Sequence, residues 1–422
     1  MNIELKLYDW VMRLLQHLLA IVRLAWSKDK KLYQFAMGQK HVMTTIEDAF
    51  RKDDREVCWF HAASLGEYNV IRPIIEQIRQ QTGCRTVLTF FSPTGVEAMT
   101  SREKLPPFID EVFYLPLDTK RNSSRFLDVV KPKKAVFAVS EYWVNYLLEL
   151  QRRQIPAFLV SGCIREGSVL LKWYGKRFYG KALNAYSRMM VLDDDSKARL
   201  ESLGLRNVVK TGDPLFDAAL RMAATDYHDE TIERFCASGA PVFIAGSIHD
   251  QNDWRLVCSL ANRHPDVKFI FVPHEIKGYR EQMVREQLKG KAVAYADMKA
   301  GRDDDEAQIL VIDFVGALSR IYRYGQFAYV GGGFTPFLHS IIEATVYGLP
   351  VAFGPNIHRK VTPKQLQRLG IGQMVTTEDE LDNWFDKLKN DASALADIRQ
   401  KALLYARQNS GATEKVAQMI LE

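Results

Sequence analysis

The chain has little cysteine and none of it is arranged for a disulfide or metal role. Its 422 residues include five Cys, an odd number, and these are scattered without CxxC or Cys/His spacing (Cys58, Cys84, Cys163, Cys236 and Cys258). A disulfide framework or a zinc site is therefore not expected, and a reducing cytoplasm is the simplest environment.

A strong net charge is also absent. Lys and Arg number 57 against 51 Asp and Glu, which gives +6. This excess is too diffuse for a nucleic-acid partner, but it is compatible with anionic lipid or a phosphorylated substrate. The composition is 47% hydrophobic and 26% charged, which is typical of a globular chain of ~2–3 domains.

The N-terminus lacks an uninterrupted apolar run. In "LYDWVMRLLQHLLAIVRLAW", Arg13 and Arg23 interrupt the segment, which argues against the ~20 apolar residues of a membrane-crossing helix. No small-residue cleavage site follows, so a signal peptide is a poor fit. The apolar residues nevertheless follow helical spacing on one side (Trp10, Val11, Leu14, Leu15, Leu18, Ile21, Val22 and Ala25). The other side is more polar (Arg13, Gln16, His17, Ala20 and Arg23).

Two interpretations of this N-terminal helix stay open. Trp residues at both ends, Trp10 and Trp26, together with cations on one face favour a helix lying in the membrane interface. The alternative is a helix that packs on its own domain. We predict an amphipathic membrane-interface helix over residues 1–30.

What is present along the rest of the chain is an alternation of short apolar runs with amphipathic helical stretches. "VCWFHAA", "KAVFAVSEYW" and "IPAFLVSG" represent the first half, and the pattern restarts at Pro241 with "PVFIAGSIHDQNDWRLVCSL". This order predicts parallel sheets covered on both faces. We therefore expect an α/β protein with two Rossmann-like, doubly wound domains facing a cleft. The predicted bounds are 31–217 and 241–422, joined by a linker over 218–240, and the last helix has the option of packing back on the first domain.

Glu67 occupies the start of a predicted helix directly after a strand, in "CWFHAASLGEYNVIRPIIEQI". Ligands of parallel α/β sheets bind beyond the carboxyl ends of the strands. One interpretation is a Glu that interacts favourably with the helix dipole, worth ~0.3–1 kcal/mol. The other is a general base, since Gly66 and its small neighbours let a substrate approach and a carboxylate can accept a proton from an attacking hydroxyl.

The second half contains a glycine cluster, in "YVGGGFTPFLHSIIEATVYGLPVAFGP". Gly331–Gly333 are expected to end a strand, and His339 and Glu343 to share one face of the next helix. Glycines at a helix start suit a phosphate, and a carboxylate one turn later can accept both hydroxyls of a ribose. The alternative is a Gly-rich turn with a His and a Glu that have no ligand.

Other polar groups follow predicted strands. "AGSIHD" and "FVPHEI" place such groups at the same sheet edge as the glycines, and "SEYW" and "SGCIREGS" do so in the first half. Arg165 is a candidate cation for a sugar carboxylate or a lipid phosphate, with an ordinary surface Arg as the alternative. "DDDS" at Asp193–Ser196 is interpreted as an acidic helix start, and no metal site is expected.

Taken together, these stretches resemble the 3-deoxy-D-manno-octulosonic acid (Kdo) transferases of lipid A biosynthesis. "HAASLGE" resembles the family's His-x-x-Ser-x-Gly-Glu signature, and "SPTGVEAM", "YLPLD" and "TGDPLFD" follow in the expected order. "KWYGKRFYGKAL" resembles a segment typical of the family's Bacteroidetes-like branch. "VPHEI", "VIDFVGALSRIYRYGQFAYVGGG" and "IIEATVYGLPVAFGP" match its nucleotide-binding half.

The resemblance implies a GT-B fold, an acceptor-binding first domain and a nucleotide-sugar-binding second domain. It implies CMP-Kdo as donor, a lipid A precursor (lipid IV A) as acceptor, no cofactor or metal, and a site at the cytoplasmic face of the cell inner membrane. It further implies an inverting single displacement with Glu67 as general base, which the helix terminus would keep ionised at neutral pH.

Further site residues follow from the matches and from the strand-end positions. Acceptor or sugar binding is assigned to Ser64, Glu141 and Arg165. Nucleotide binding is assigned to a larger set in the second half (Ser247, Pro273, His274, Glu275, Val315, Gly316, Ala317, Gly332, Gly333, Ser340, Ile341, Ile342 and Glu343).

Three positions depart from the family pattern. Val139 stands where many relatives have a charged residue, and Leu215 stands where a basic residue is expected. Ser340 replaces Asn in the usual His-Asn pair, and "TPFL" stands where glycines are expected nearby. The family associates the first two positions with stabilising charge in the transition state. Two other hypotheses therefore stay open: another GT-B nucleotide-sugar enzyme (transferase or epimerase), or a catalytically impaired, membrane-associated paralogue.

Overall fold

The computed structural model describes most of the chain (residues 3–24, 30–51, 55–100, 105–275, 287–302, 306–314, 316–336, 338–358 and 360–422). The chain divides into two compact units. The first unit comprises Met1–Leu215 and Gly411–Glu422, and the second comprises Phe216–Ser410.

The first unit is built on a parallel sheet. Its described strands are β1 (Val57–Ala62), β2 (Arg85–Phe90), β3 (Glu111–Tyr114), β4 (Lys134–Ala138), β5 (Ala157–Gly162), β6 (Arg188–Val191) and β7 (Val208–Lys210). The strand order is β3-β2-β1-β4-β5-β6-β7, and β1 pairs in parallel with both β2 and β4. The chain thus reverses its direction of progress across the sheet between β1 and β4, which is where a doubly wound fold opens a crevice for ligands.

Helices cover both faces of this sheet. The helices before β7 are α1 (Ile3–Leu24), α2 (Lys30–Ala49), α3 (Leu65–Thr82), α4 (Pro93–Thr100), α5 (Lys120–Val130), α6 (Val144–Arg152), α7 (Trp173–Leu183) and α8 (Asp194–Ser202), with a 3-10 turn at Val169–Leu171. Trp59 and Phe60 on β1 are both fully buried but belong to different core clusters, because successive strand side chains point to opposite faces. Val416 and Ile420 of the last helix pack in the same cluster as Phe60.

The second unit repeats the architecture. Its described strands are β8 (Val242–Ile248), β9 (Lys268–Pro273), β10 (Ala292–Ala294), β11 (Ile309–Val311), β12 (Phe327–Val330), β13 (Val351–Phe353) and β14 (Gly372–Met374). They are ordered β10-β11-β9-β8-β12-β13-β14. β8 pairs in parallel with β9 and β12, so the corresponding crevice lies where β8 and β12 end.

The remaining helices complete the chain. They are α9 (Pro214–Ala224), α10 (Glu230–Cys236), α11 (Gln251–Arg263), α12 (Tyr295–Lys299), α13 (Leu318–Ile321), α14 (Ile342–Thr345), α15 (Thr362–Arg368), α16 (Glu378–Lys389), α17 (Ala392–Gln408) and α18 (Ala412–Leu421), with a 3-10 turn at Tyr322–Tyr324. The segment 218–240, expected as a linker, contains most of α9 and all of α10 and is part of the second unit.

One local prediction is wrong. His339 and Glu343 do not share a helix face, because α14 begins only at Ile342. His339 lies in the preceding non-helical segment, where its backbone N–H donates to the carbonyl of Gly331 at 3.2 Å. That bond folds the chain back on the glycine cluster. The backbone of His339 is therefore committed to the glycine cluster and does not form the first turn of α14.

Helix α1 has one packed side and one exposed apolar side. Met12 is buried, and the hydroxyl of Tyr8 donates to Asp118 Oδ2 at 2.7 Å. Leu7, Trp10, Val11, Leu14, Leu15, Leu18 and Ile21 are exposed. None of the described helices is long and apolar enough to cross a membrane. Ala25 and Trp26 and the side chain of Arg23, which were part of the predicted pattern, lie outside the described residues.

Candidate active site

Glu67 is fixed at the crevice of the first unit by the start of helix α3. Ser64 is the N-cap, and its Oγ accepts a hydrogen bond from the backbone N–H of Glu67 at 3.4 Å. The Glu67 side chain reaches back in turn, and its Oε2 accepts from the backbone N–H of Ala63 at 2.7 Å. This reciprocal pair resembles a capping box. The hydroxyl of Ser64, predicted to bind acceptor or sugar, therefore caps the helix that carries Glu67.

The pKa of the Glu67 carboxyl is raised from 4.5 to about 7. Burial is the largest cause and the nearby charge of Glu141 adds to it, whereas the backbone N–H groups of Ala63 and Ser64 lower the pKa. Desolvation therefore outweighs the helix dipole, so Glu67 is about half ionised at pH 7 rather than fully ionised as expected. A carboxylate with a pKa near neutral is a better proton acceptor than an ordinary Glu, and it is still largely ionised just above pH 7.

Glu141 belongs to a buried polar network after β4. Glu141 is 6% exposed, and its Oε2 lies 3.2 Å from Nε2 of His61. The indole N–H of Trp143 donates to the same carboxylate oxygen. The other ring nitrogen of His61 lies 2.9 Å from the hydroxyl oxygen of Thr89. Thr89, on the neighbouring strand β2, thus orients the imidazole, and the imidazole and the indole hold Glu141 beside Glu67.

A strained turn directs Glu141 to this position. Val139 has φ of 61°, a rare conformation for a β-branched residue. The backbone N–H of Ser140 donates to the carbonyl of Ala138 at 2.8 Å, so the chain reverses within three residues immediately after β4. Such strain is characteristic of functional sites. Val139, noted from the sequence only as a departure from a family pattern, is therefore the residue that turns the chain back.

Arg165 does not belong to this polar network. It lies exposed in the turn after β5, where its carbonyl accepts from the backbone N–H of Ser168 at 3.0 Å. No described hydrogen bond or ion pair joins its side chain to Glu67 or Glu141. Sequence reasoning instead missed His61, Thr89 and Trp143 as functional side chains, although His61 begins the "HAASLGE" stretch and Trp143 ends "SEYW".

In the second unit, Asp253 joins two strand ends. It is fully buried on α11, and its Oδ2 accepts from the backbone N–H groups of Gly332 at 2.8 Å and His249 at 2.9 Å. The hydroxyl of Tyr329 donates to Oδ1 at 2.6 Å. A Cβ at Gly331 would stand 2.3 Å from the carbonyl oxygen of Ser247. The close approach of the two loops therefore requires glycine at 331.

Three histidines converge at this end of the sheet. The ring centroids of His274 and His339 are 4.3 Å apart, and those of His249 lie 5.1 Å and 6.0 Å from them. Burial, followed by the other two rings, lowers the pKa of His339 to about 4, and burial also lowers the pKa of His274. Nε2 of His339 is buried and has no hydrogen-bond partner among the described residues. In its N–H tautomer, this nitrogen of a neutral His339 can donate a hydrogen bond to an anionic ligand.

The other predicted nucleotide-binding residues that the structure describes lie at the ends of β8 and β9 or on the segments after β9, β11 and β12. Ser247 adopts φ of 53° near the end of β8, and Pro273 ends β9. Gly316 and Ala317 precede α13, and a Cβ at Gly246 on β8 would touch Leu318 of that helix. Ser340 and Ile341 precede α14, which begins with Ile342 and Glu343, and burial raises the pKa of Glu343. Glu275 follows β9, and Val315 lies outside the described residues. Gly332 and Gly333 follow β12.

No group of three or more His, Cys, Asp or Glu side chains suited to a metal ion occurs in the part of the chain that the structure describes.

Sequence comparison finds 3-deoxy-D-manno-octulosonic acid transferases among the relatives of this chain. Residues 36–218 match the family described as 3-deoxy-D-manno-octulosonic-acid transferase (kdotransferase). A 3-deoxy-D-manno-octulosonic acid transferase of Chlamydia trachomatis is 26% identical over 377 residues, covering 86% of both chains. That of Aquifex aeolicus is 25% identical over 341 residues, covering 78% of this chain and 85% of the relative. The Haemophilus influenzae transferase is 24% identical over 384 residues and covers 86% of both.

Solved structures share the fold at low sequence identity. UDP-GlcNAc 2-epimerase of Neisseria meningitidis, bound to UDP-GlcNAc, is 13% identical with a TM-score of 0.58, covering 86% of this chain and 99% of that one. Acinetobacter baumannii MurG is 13% identical with a TM-score of 0.54, covering 87% and 99%. The likeness concerns the fold alone, and it identifies the predicted α/β architecture as the GT-B type.

Proposed function

Because the chain belongs to the Kdo transferase family, a family of glycosyltransferases, we propose that it transfers Kdo from CMP-Kdo to a hydroxyl of a lipid A precursor in lipopolysaccharide biosynthesis. The observation that carries the mechanism is the Glu67 carboxyl, held at the ligand-binding end of its sheet with a pKa of about 7. A group with that pKa can accept a proton near neutral pH.

The proposed reaction is a single displacement. The acceptor hydroxyl oxygen forms a bond to the anomeric carbon of Kdo while its proton passes to Glu67. The bond from that carbon to the phosphate oxygen breaks, and CMP leaves with the electron pair. Attack from the side opposite CMP inverts the anomeric centre. The step needs one base and no protein nucleophile, in keeping with a site in which Glu67 is half-buried and Glu141 is buried.

Glu141 acts through Glu67 as a positioning residue in this proposal. Its charge helps to keep the pKa of Glu67 high, and His61 and Trp143 hold its carboxylate in place. The carboxylate of Glu67 is thereby a stronger base than a solvated Glu would be.

The second unit is proposed to bind the nucleotide. His249, His274 and His339 suit the CMP phosphate, because their rings converge beside backbone held by Asp253 and Nε2 of His339 is without a partner among the described residues. Glu343 at the start of α14 suits the ribose hydroxyls. No metal is assigned a role in this proposal.

We also propose that the protein works at the cytoplasmic face of the inner membrane. The exposed apolar side of α1 includes Trp10, which is 60% exposed, and the nearby α7 begins with Trp173, 79% exposed. The two helices are joined by an ion pair between Glu4 and Arg177 at 2.6 Å and by contact of the Tyr8 and Phe178 rings. Exposed Trp and Leu side chains on adjacent elements favour adsorption to the membrane interface.

Two other functions are kept because specific observations favour them. The structural likeness to UDP-GlcNAc 2-epimerases favours a different nucleotide-sugar enzyme, and the departures at Val139, Leu215 and Ser340 favour an impaired paralogue. Thermal shift distinguishes them. We expect CMP to raise the melting temperature. A rise with UDP alone supports the first alternative, and no rise with either nucleotide, together with no measurable binding of the lipid A precursor, supports the second.

The direct test is a transfer assay. The protein is incubated with CMP-Kdo and a tetraacylated lipid A precursor, and mass spectrometry detects Kdo added to the lipid. We expect product with the native chain and with Glu76→Gln, a matched control on α3, and none above background with Glu67→Gln. Absence of product from the native chain, or full activity in Glu67→Gln, would contradict the proposal.

A further inference from the structure

A cavity of about 560 Å³ lies between three helices of the first unit. Helix α1 forms one wall, helix α2 the second, and the segment from Pro116 into helix α5 the third. Its lining includes five basic side chains (Arg13, His17, Lys40, Arg121 and Arg125) and no carboxylate. A cavity with this lining attracts a small anion, and the guanidinium groups match the geometry of phosphate.

Not all of these cations are neutralised by the protein. Arg13 pairs with Asp9 at 2.8 Å and Arg125 pairs with Glu47 at 2.6 Å. Lys40 and Arg121 form no ion pair with any described residue, and both are exposed. The cavity therefore retains positive charge that an external anion can satisfy.

Hydrogen bonds hold the walls in place without a ligand. Asp9 Oδ1 accepts from the backbone N–H of Lys120 at 2.7 Å, which fastens α1 to the start of α5. Gln39 on α2 donates to the carbonyl of Leu115 at 2.8 Å and accepts from the backbone N–H of Leu117 at 3.1 Å. The cavity is thus preformed, and a ligand does not have to order it.

The cavity adjoins the exposed apolar side of α1. Arg13, Gln16, His17 and Ala20 lie at i, i+3, i+4 and i+7 and share the face above the cavity. Leu7, Val11, Leu14, Leu18 and Ile21 form the neighbouring exposed face. If that face enters a membrane interface to the usual depth of ~5–10 Å, the cavity lies at the level of the lipid headgroups.

We propose that this basic cavity binds the phosphate of an anionic membrane phospholipid and so fixes α1 on the bilayer. The inference rests on the proposed membrane association and adds to it a specific headgroup site. The occupant is a phospholipid, because the apolar face of α1 beside the cavity accommodates acyl chains whereas the cations meet the phosphate.

The test uses the full chain and sedimentation with vesicles of phosphatidylcholine alone or with a quarter of phosphatidylglycerol. The variant Lys40→Glu with Arg121→Glu reverses two cavity charges. The control, Lys197→Glu with Arg206→Glu, makes the same change in net charge on and just beyond α8, away from the cavity lining. Circular dichroism and melting temperature verify folding of both.

We expect the native chain and the control to bind the anionic vesicles at least tenfold more tightly than the neutral ones, and the cavity variant to lose that preference. Equal binding by cavity variant and control, or no preference of the native chain for anionic vesicles, overturns the inference. A rise in melting temperature with inorganic phosphate that the cavity variant loses, without any vesicle preference, identifies a free-phosphate site and also overturns it.

Transfer to acceptor in detergent micelles separates this inference from the proposed function. We expect the cavity variant to keep native activity there, because the micelle replaces the bilayer. Loss of micellar activity in the cavity variant alone assigns the cavity to the acceptor's phosphate and contradicts the phospholipid proposal. Inactivity of the native chain contradicts the proposed function and leaves the vesicle result to decide the cavity by itself.

Discussion

Replacement of Glu67 by Gln is expected to stabilise the fold at alkaline pH. The pKa of Glu67 rises from 4.5 to about 7 on folding. A pKa difference of one unit corresponds to ~1.4 kcal/mol. Ionising this carboxyl therefore costs the folded state at most on the order of 3 kcal/mol more than it costs the unfolded state. Glu67 is only partly buried, so solvent screening reduces the expected gain to ~1–3 kcal/mol.

The sign of the pH dependence follows from proton binding. Below pH 4.5 both the folded and the unfolded chain hold the proton, and Glu67 contributes no difference from Gln. Between 4.5 and about 7 the folded state holds the proton more tightly, so the stability of the native chain falls relative to Glu67→Gln as pH rises. Above pH 7 the difference stays constant.

Urea unfolding at pH 4.5, 6 and 8 measures this difference in the free energy of unfolding. Gln retains an oxygen that can accept the Ala63 N–H bond, so the substitution removes the charge and little else. The control is Glu76→Gln, which removes another carboxylate from the same helix. Its stability relative to the native chain is expected to show no comparable change with pH. An unchanged or lower stability of Glu67→Gln at pH 8 would refute the assignment of a partly buried carboxyl with a raised pKa.

Three further results are expected. Glu141→Gln removes a charge that raises the pKa of Glu67, so the acidic inflection of kcat/KM, near pH 7 in the native chain, moves to lower pH; an unmoved inflection contradicts the coupling. Gly331→Ala, whose Cβ meets backbone at 2.3 Å, is expected to weaken CMP binding at least tenfold by calorimetry, and native affinity argues against the packed loop. On α7, Gly180→Ala meets nothing within 4 Å and is expected to stabilise by ~0.5–1 kcal/mol, whereas Gly175→Ala meets a carbonyl oxygen at 1.7 Å and destabilises. Equal urea midpoints for these two variants contradict that reasoning.

The local sequence pattern was sufficient to predict the strand and the helix that position Glu67. The buried run at Val57–Ala62 and the capped start of α3 follow from short-range signals, namely an apolar run followed by Ser64 and a carboxylate three residues later. Position alone therefore placed Glu67 at a strand-to-helix turn. The second half was predicted in the same way from its glycine cluster after β12.

Properties that depend on distant contacts were not accessible from the sequence. The pKa of Glu67 is set by burial and by Glu141, 74 positions away, and no local pattern reports desolvation. The histidine cluster joins the loops after three strands, β8, β9 and β12, so it emerges only from the order of strands in the sheet. In the sequence, Asp253 resembles an ordinary acidic residue in the first turn of a helix. In the structure, its carboxylate accepts hydrogen bonds from the backbone N–H groups of residues 249 and 332 and so connects two loops.

The wrong helix start in the second half has a similar origin. Spacing from His339 to Glu343 is that of a helix face, but the bond from His339 to Gly331 competes with helix formation. Tertiary context decided the outcome there, as it did for the positive φ of Val139, which no β-branched residue favours by itself.

The rate of Kdo transfer by Glu67→Gln, at pH 8 with saturating CMP-Kdo and acceptor, tests the central claim most directly. General base catalysis contributes ~10²–10⁴-fold. We predict a transfer rate at least ~100-fold below that of the native chain, with an unchanged rise in melting temperature on addition of CMP. A rate within a few-fold of native would show that a different group accepts the proton, and the account of Glu67 given above would then be wrong.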